Sequence, residues 1–246
     1  MHYPNVTSAV FLSRPNRFVA QVLLEGEVIT VHVKNTGRCR ELLLPGAQVW
    51  LTKSTNPNRK TAYDLIAVQK GARLINMDAQ APNQVFYEWA AAGHFVPQLT
   101  LLKPECRHGD SRFDFYWEAG PRKGFVEVKG VTLERDGAAY FPDAPTQRGI
   151  KHLHGLTDSL AQGYEGAVCF VIQMEQADFF APNDHTHPAF GQALRQAAQA
   201  GVAVLLYRHP GQPDPGRGGA RSVIPLTPPP SRPLSPGESA APSPPW

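Results

Sequence analysis

The sequence predicts two domains, a small β-barrel followed by an α/β domain with a mixed sheet, and then a proline-rich tail. Three observations lead to this fold class. Apolar residues alternate with period two over much of the first 80 residues, helical and strand patterns take turns between residues 81 and 209, and 12 of the 24 prolines follow residue 209. We therefore place the domains at 12–80 and 81–209, and the tail at 210–246.

The first domain has the pattern of short strands joined by turns. Glu25-Gly26 separates two alternating segments and predicts a β-hairpin, and a turn-rich stretch at 54–59 separates two more. The predicted strands are 18–24, 28–33, 48–53 and 63–70. Four or five short strands in so small a domain favour a closed barrel of the oligonucleotide/oligosaccharide-binding (OB) type.

The second domain alternates between helix and strand. Thr146 follows a loop rich in Pro and Asp and is a suitable N-cap for a helix that runs to about residue 162. The other predicted elements are a helix at 84–92, strands at 99–107, 111–117, 124–133, 167–173 and 202–207, and a helix at 189–200. This order predicts a mixed sheet with helices on its faces.

The composition argues against a folded tail, a membrane span and a disulfide framework. A segment so rich in proline supplies neither ladder hydrogen bonds nor apolar area, so we expect a disordered or polyproline II tail. No apolar run approaches the length that spans a bilayer. The three cysteines, Cys39, Cys106 and Cys169, are far apart and odd in number, which predicts buried, reduced thiols. We therefore expect a cytoplasmic protein without a membrane partner.

Basic residues are concentrated near the start of the chain. Residues 1–80 carry 10 basic and 5 acidic groups, although the whole chain has a net charge of only +3. On the barrel, a phosphate-binding patch is predicted from Arg14, Arg17, Lys34, Arg38 and Arg40. The alternative is an ordinary solvated surface.

The helix that begins after Thr146 carries further candidates for phosphate binding. Arg148 and Lys151 lie in its first turns, where the free N–H groups of a helix already favour anions. For the two histidines of this helix, we expect that His152 or His154 packs at the sheet.

Two carboxylates and a lysine fall on consecutive predicted strands. Alternation places Phe113, Phe115 and Trp117 on one face of the strand at 111–117, opposite Asp114, and it puts Glu127 and Lys129 on one face of the next strand. If the strands are adjacent, the two carboxylates repel each other unless a cation lies between them. Oxygen ligands of this kind suit Mg²⁺ or Mn²⁺, and the Val128 carbonyl is a plausible third ligand.

The spacing of Asp114, Glu127 and Lys129 resembles that of PD-(D/E)xK nucleases, in which a metal polarises the scissile phosphate and activates water. The resemblance implies a catalytic role for all three residues. Phe113 stands where that motif has proline. Glu88, on the preceding helix, is a further possible ligand, but a surface carboxylate is the more ordinary interpretation.

A longer resemblance covers about residues 12–209. The segments 111–115, 126–133 and 141–153, together with Asn16-Arg17-Phe18 and the loop at 35–38, resemble the bacterial sugar fermentation stimulation (SfsA) family. The resemblance implies an OB-like barrel joined to a nuclease-like domain, DNA binding, and a regulatory role in sugar utilisation, notably of maltose. Lys34 stands where that family more often has proline.

Two functions remain open at this point. One is a DNA-binding, regulatory protein of low sequence specificity, whose nuclease-like site is catalytically vestigial but keeps a divalent metal. The other is a Mg²⁺-dependent nuclease that acts on structured or single-stranded nucleic acid.

Overall fold

The computed structural model of the chain describes residues 1–208 except Thr36, Arg38, Gln176 and Asp178. The tail predicted at 210–246 lies outside the described residues. Within the described part, no helix is long and apolar enough to cross a membrane.

The first domain is a closed five-stranded barrel with one added strand. Its strands are β1 (Val6–Asn16), β2 (Val19–Leu24), β3 (Glu27–Val33), β4 (Gln48–Lys53), β5 (Tyr63–Lys70) and β6 (Arg73–Asn76). The sheet order is β3-β2-β1-β4-β5-β6, and a parallel pairing of β3 with β5 closes the barrel. Its interior is filled by fully buried β-branched and leucine side chains at alternate positions, including Val22, Val31, Val49, Leu51 and Leu65.

The barrel confirms the predicted hairpin and adds strands that the sequence pattern did not reveal. Leu24 faces Glu27 in the hairpin register, as the Glu25-Gly26 turn predicts. Strand β1 begins at Val6, ahead of the predicted boundary at residue 12. Only Ala9 and Phe11 of β1 are buried, so its apolar alternation is weak and was not recognisable as a strand.

The second domain is an α/β unit around a mixed five-stranded sheet. Its elements are α1 (Ala81–Ala91), β7 (Leu101–His108), β8 (Ser111–Ala119), β9 (Arg122–Val131), β10 (Leu133–Arg135), β11 (Ala138–Phe141), α2 (Gln147–Leu160), β12 (Glu165–Ile172), β13 (Phe179–Pro182), α3 (Pro188–Ala200) and β14 (Ala203–Arg208). The main sheet has the order β14-β12-β9-β8-β7. Strands β7, β8 and β9 are antiparallel, whereas β9, β12 and β14 run parallel.

The helices cover the two faces of this sheet. Phe86 of α1 belongs to one buried cluster with Trp117 and Val126, while Leu153 of α2 and Leu194 of α3 belong to the other. Thr146 is the N-cap of α2, as predicted, because its hydroxyl accepts the Gly149 N–H at 3.0 Å. The small sheet β10-β11-β13 was not predicted, since strands of three or four residues give too short a pattern.

Polar contacts join the barrel to the second domain. Lys70 Nζ lies 2.8 Å from the Glu134 carboxylate, and Arg73 adds a contact at 3.3 Å. The Asn76 N–H donates to the Gln173 carbonyl at 2.8 Å. The barrel therefore contacts the second domain at the end of the sheet where β12 ends.

All three cysteines are free thiols, in agreement with the prediction. Cys39 and Cys169 are buried, but Cys106 is only half-buried. The prediction of burial is wrong for Cys106 because this residue lies on β7, an outer strand of the sheet.

Candidate metal and nucleic-acid site

Strands β8 and β9 separate at Asp114. Their register runs from the Ala119–Arg122 pair to the Phe115–Val126 pair and ends there. Beyond that point the Asp114 side chain replaces the backbone of β8 as the partner of β9, because its Oδ2 accepts the Val128 N–H at 2.8 Å. The other oxygen, Oδ1, accepts a hydrogen bond from the Asn83 amide of α1 at 3.0 Å. Asp114 is therefore held between a strand and a helix.

The separation of the strands corrects the predicted alternation in β8. The Phe113 ring lies 5.1 Å from the Phe125 ring, in the cluster that contacts α2. The Phe115 ring lies 5.2 Å from the Phe86 ring of α1, on the other face. Phe113 and Phe115 thus do not share a face, because the backbone leaves the β9 ladder at the residue between them.

Glu127 is almost completely enclosed, with 3% of its surface exposed. Its Oε1 atom contacts both the Lys129 ammonium and His152 Nδ1. Its Oε2 atom is also buried but has no hydrogen-bond partner among the described residues. A buried carboxylate oxygen without a donor is costly unless a ligand contacts it.

The two carboxylates have opposite pKa shifts. Burial, followed by the nearby charge of Glu127, raises the pKa of Asp114 above its usual range. Burial acts in the same direction on Glu127, but the contacts with His152 and Lys129 outweigh it and hold the pKa of Glu127 below its usual range. Unequal pKa values in a pair of neighbouring carboxyl groups are typical of functional sites.

The structure brings the predicted trio of Asp114, Glu127 and Lys129 together. Val128 contributes its N–H group to Asp114, and its carbonyl stays a predicted ligand. Glu88 is exposed and pairs with the amino terminus of Met1. Among the described residues, no group of three or more His, Cys, Asp or Glu side chains is arranged to hold a metal.

Two side chains at the site were not recognised as part of it from the sequence. Asn83 reaches Asp114 from α1, and nothing in its local sequence signals this contact. His152 packs at the sheet as predicted, 6.1 Å from the Phe113 ring, but it also contacts Glu127. His154, in contrast, is exposed, so of the two histidines it is His152 that packs at the sheet. No spacing rule links His152 to Glu127, because this contact depends on how α2 packs over the sheet.

The predicted basic patch on the barrel divides into residues with internal partners and exposed residues. The Arg14 guanidinium donates to the carbonyls of Arg17, Asn35 and Gly37, at 2.8, 2.6 and 2.8 Å. Lys34 lies 2.9 Å from Asp78. Arg14 and Lys34 therefore organise the barrel loops.

The remaining predicted phosphate contacts are exposed or undescribed. Arg17 and Arg40 are exposed on the barrel, and Arg148 and Lys151 are exposed on α2. Arg38 lies outside the described residues. Beside Arg17, the Phe18 ring is 53% exposed, and the Asn16 side chain fixes this turn by accepting the Phe18 N–H at 2.9 Å.

Two family models match consecutive parts of the chain. The SfsA N-terminal OB domain matches residues 12–77, and the sugar fermentation stimulation protein RE domain matches residues 80–214. A sugar fermentation stimulation protein homolog of Desulfitobacterium hafniense (strain Y51) is 57% identical over 83% of this chain and 90% of its own length. One from Ruminiclostridium cellulolyticum is 52% identical over 83% of this chain and 91% of its own length.

A solved structure is also similar. SfsA of Pyrococcus furiosus, in complex with Ca²⁺, has a TM-score of 0.78 and 26% sequence identity over 85% of this chain and 90% of that one. Both family domains match, and the two relatives are more than 50% identical over the aligned residues. This chain therefore belongs to the sugar fermentation stimulation protein family.

Proposed function

We propose that this protein binds DNA with little sequence preference and holds one divalent cation, Mg²⁺ or Mn²⁺, between Asp114 and Glu127. The observation that carries the proposal is the convergence of these carboxylates with Lys129 where β8 leaves β9. We also propose a regulatory role in sugar metabolism, notably of maltose, as the family resemblance implies, and action in the cytoplasm.

The donor set fits a hard cation. Asp114 and Glu127 supply carboxylate oxygens, and the buried Oε2 of Glu127 has no donor among the described residues. Mg²⁺ is commonly held by one or two carboxylates, with waters and phosphate oxygens completing its shell, so a larger cluster of protein ligands is not needed. The Ca²⁺ complex of the Pyrococcus furiosus relative supports a site for this class of ion.

The DNA-binding part of the proposal depends on the exposed cations. Arg17 and Arg40 on the barrel, with Arg148 and Lys151 on α2, are available to phosphate. The exposed Phe18 ring beside Arg17 offers a face for an unpaired base. The described residues include no helix-turn-helix pair, so binding through phosphates with little sequence preference is the expected mode.

The test is a binding titration with labelled single-stranded, duplex and branched DNA at increasing salt. Replacing Arg17 and Arg40 together by Ala should weaken binding to all sequences and reduce the salt slope by about 2, one unit for each lost phosphate contact. Lys103→Ala with Arg107→Ala removes two exposed charges from β7 and serves as the control. Absence of binding at low salt, or salt-independent binding, would contradict the proposal.

A second candidate function is cation-dependent cleavage of a phosphodiester. The position of Lys129 favours it, because the ammonium contacts the Glu127 carboxylate and is only partly exposed. A cation at this site would polarise the scissile phosphate and lower the pKa of an attacking water. The Lys129 ammonium would then orient that water or offset the charge that develops on the phosphate.

Incubation of the same DNA substrates with Mg²⁺, Mn²⁺ or EDTA distinguishes the two candidates. A nuclease would cleave with a cation and stop in EDTA, and Lys129→Ala would abolish cleavage while DNA binding persists. Intact DNA in every reaction, with binding retained, would leave the first function alone.

A further inference from the structure

His152 occupies a position on α2 where its two ring nitrogens have different partners. Its Nδ1 contacts Oε1 of Glu127, and its Nε2 lies 3.5 Å from Arg148 Nε. The residue is 5% exposed. Because the Glu127 carboxylate can only accept, we expect Nδ1 to carry a proton and to donate it to Oε1.

The contacts of Glu127 are unequal between its two oxygens. Lys129 and His152 both contact Oε1, and Oε2 has no hydrogen-bond partner among the described residues. Lys129 is half-buried on the same strand as Glu127, whereas His152 comes from a helix packed over the sheet. The carboxylate is therefore anchored from two directions through one oxygen, and the other oxygen is left for a ligand.

We propose that His152 is a positioning residue of the cation site, which fixes the Glu127 carboxylate through Oε1 so that Oε2 is presented to the cation. The inference rests on the proposed cation site. It assigns His152 no contact with the cation or with DNA. Partners that orient a ligand in this way commonly contribute 10–100-fold, roughly, to metal affinity.

The experiment compares two replacements of His152 in the full chain. His152→Asn keeps an N–H donor near the position of Nδ1, whereas His152→Phe keeps a ring beside Phe113 but has no donor. Mn²⁺ affinity is measured by calorimetry, and circular dichroism checks folding. We expect His152→Phe to lose about 10–100-fold in affinity and His152→Asn to stay close to the wild type.

A control separates positioning from a general loss of stability. Leu156→Val shortens a fully buried side chain one helical turn after His152 and should lower the melting temperature without changing Mn²⁺ affinity. If Leu156→Val weakens Mn²⁺ binding as much as His152→Phe does, the effect comes from destabilised packing and the inference is overturned.

A second measurement does not depend on the variants or on the metal. Nitrogen-15 NMR of the wild type without metal should show that Nδ1 of His152 carries a proton. A ring without a proton on Nδ1 would overturn the inference even if Mn²⁺ binds. Equal Mn²⁺ affinity of His152→Phe and the wild type would overturn it too, while the cation site itself would stand. A wild type that binds no Mn²⁺ would instead remove the proposed cation site, and with it the role of His152.

Discussion

Asp114 and Glu127 show how the surroundings separate two chemically similar residues. Glu127 contacts Lys129 and His152, which stabilise its charged form. Asp114 accepts neutral hydrogen bonds from Asn83 and the Val128 N–H, and it faces the charge of Glu127. At neutral pH without a cation, the charge on Asp114 is therefore the less favourable of the two.

We expect Asp114→Asn to stabilise the protein in the absence of divalent cations. Because the folded state raises the pKa of Asp114, ionisation of this carboxyl lowers the free energy of unfolding. This cost is absent below the unfolded pKa and is complete above the folded pKa. At pH 7 the isosteric amide should add about 0.5–2 kcal/mol to the free energy of unfolding. Urea denaturation in EDTA measures this difference. A loss of stability would show that the two hydrogen bonds outweigh the repulsion.

The residues of the site also show what a sequence can reveal. Asp114, Glu127 and Lys129 were predictable because they lie on consecutive strands, where spacing translates directly into position. Asn83 and His152 reach the same place from helices 31 and 25 residues away from their partners, and no spacing rule connects them. The tertiary packing of the helices decides those contacts.

At the scale of single elements, α2 is important because it carries both Arg148 and His152. Its start was predictable from Thr146, since capping is a local interaction. The break in the β8–β9 pairing was not predictable, because the alternation of aromatic residues continues in the sequence on both sides of Asp114. Only the loss of pairing with β9 shows that Phe113 turns to the other face.

Removal of the α2 cap gives a local test. Thr146→Ala should lower the free energy of unfolding by about 1 kcal/mol, because the Gly149 N–H loses its acceptor. Thr146→Ser retains the hydroxyl and should retain most of the stability. Chemical denaturation of both variants measures the difference, and equal losses in the two would exclude capping as the cause.

Strand β5 contains a second buried carboxylate, Asp64, whose side chain is 8% exposed. Burial alone would raise its pKa, but the contacts with Arg59, His32 and Lys34 outweigh burial and lower the pKa. The stabilisation is therefore complete above the unfolded pKa and is lost as the pH falls through the folded pKa.

Asp64→Asn should accordingly destabilise the protein at neutral pH by about 3 kcal/mol, because it leaves a cluster of cations without its carboxylate. The difference from the wild type should narrow as the pH falls below about 4, where the unfolded carboxyl is protonated. Denaturation curves at a series of pH values measure this trend. A difference that stays constant with pH would contradict the ion-pair explanation.

At the scale of the whole molecule, the two domains and their order were predictable from composition and periodicity, whereas the pairing of charged side chains was not. Lys34 appeared in the sequence as a surface cation, but its partner Asp78 lies 44 residues away. Counting charges along a chain reveals their number and not their partners. Ion pairs within the first 80 residues leave their net charge of +5 unchanged, but they reduce the number of cations that can contact phosphate.

The tail gives a prediction at this scale. The segment that follows residue 209 is rich in proline and poor in apolar residues. Truncation at Pro210 should therefore leave the melting temperature nearly unchanged in a thermal scan against the full chain. A large decrease would show that the tail packs on one of the domains.

The central claim is that Asp114 and Glu127 together hold one divalent cation, and calorimetric titration with Mn²⁺ tests it most directly. The wild type should bind one equivalent, Asp114→Asn and Glu127→Gln should each lose most of the affinity, and Lys129→Ala should keep it. The same order should appear in the Mn²⁺-dependent gain of melting temperature, because a ligand that binds only the folded state stabilises it. A wild type with neither heat of binding nor thermal gain, or variants that bind as well as the wild type, would contradict the account.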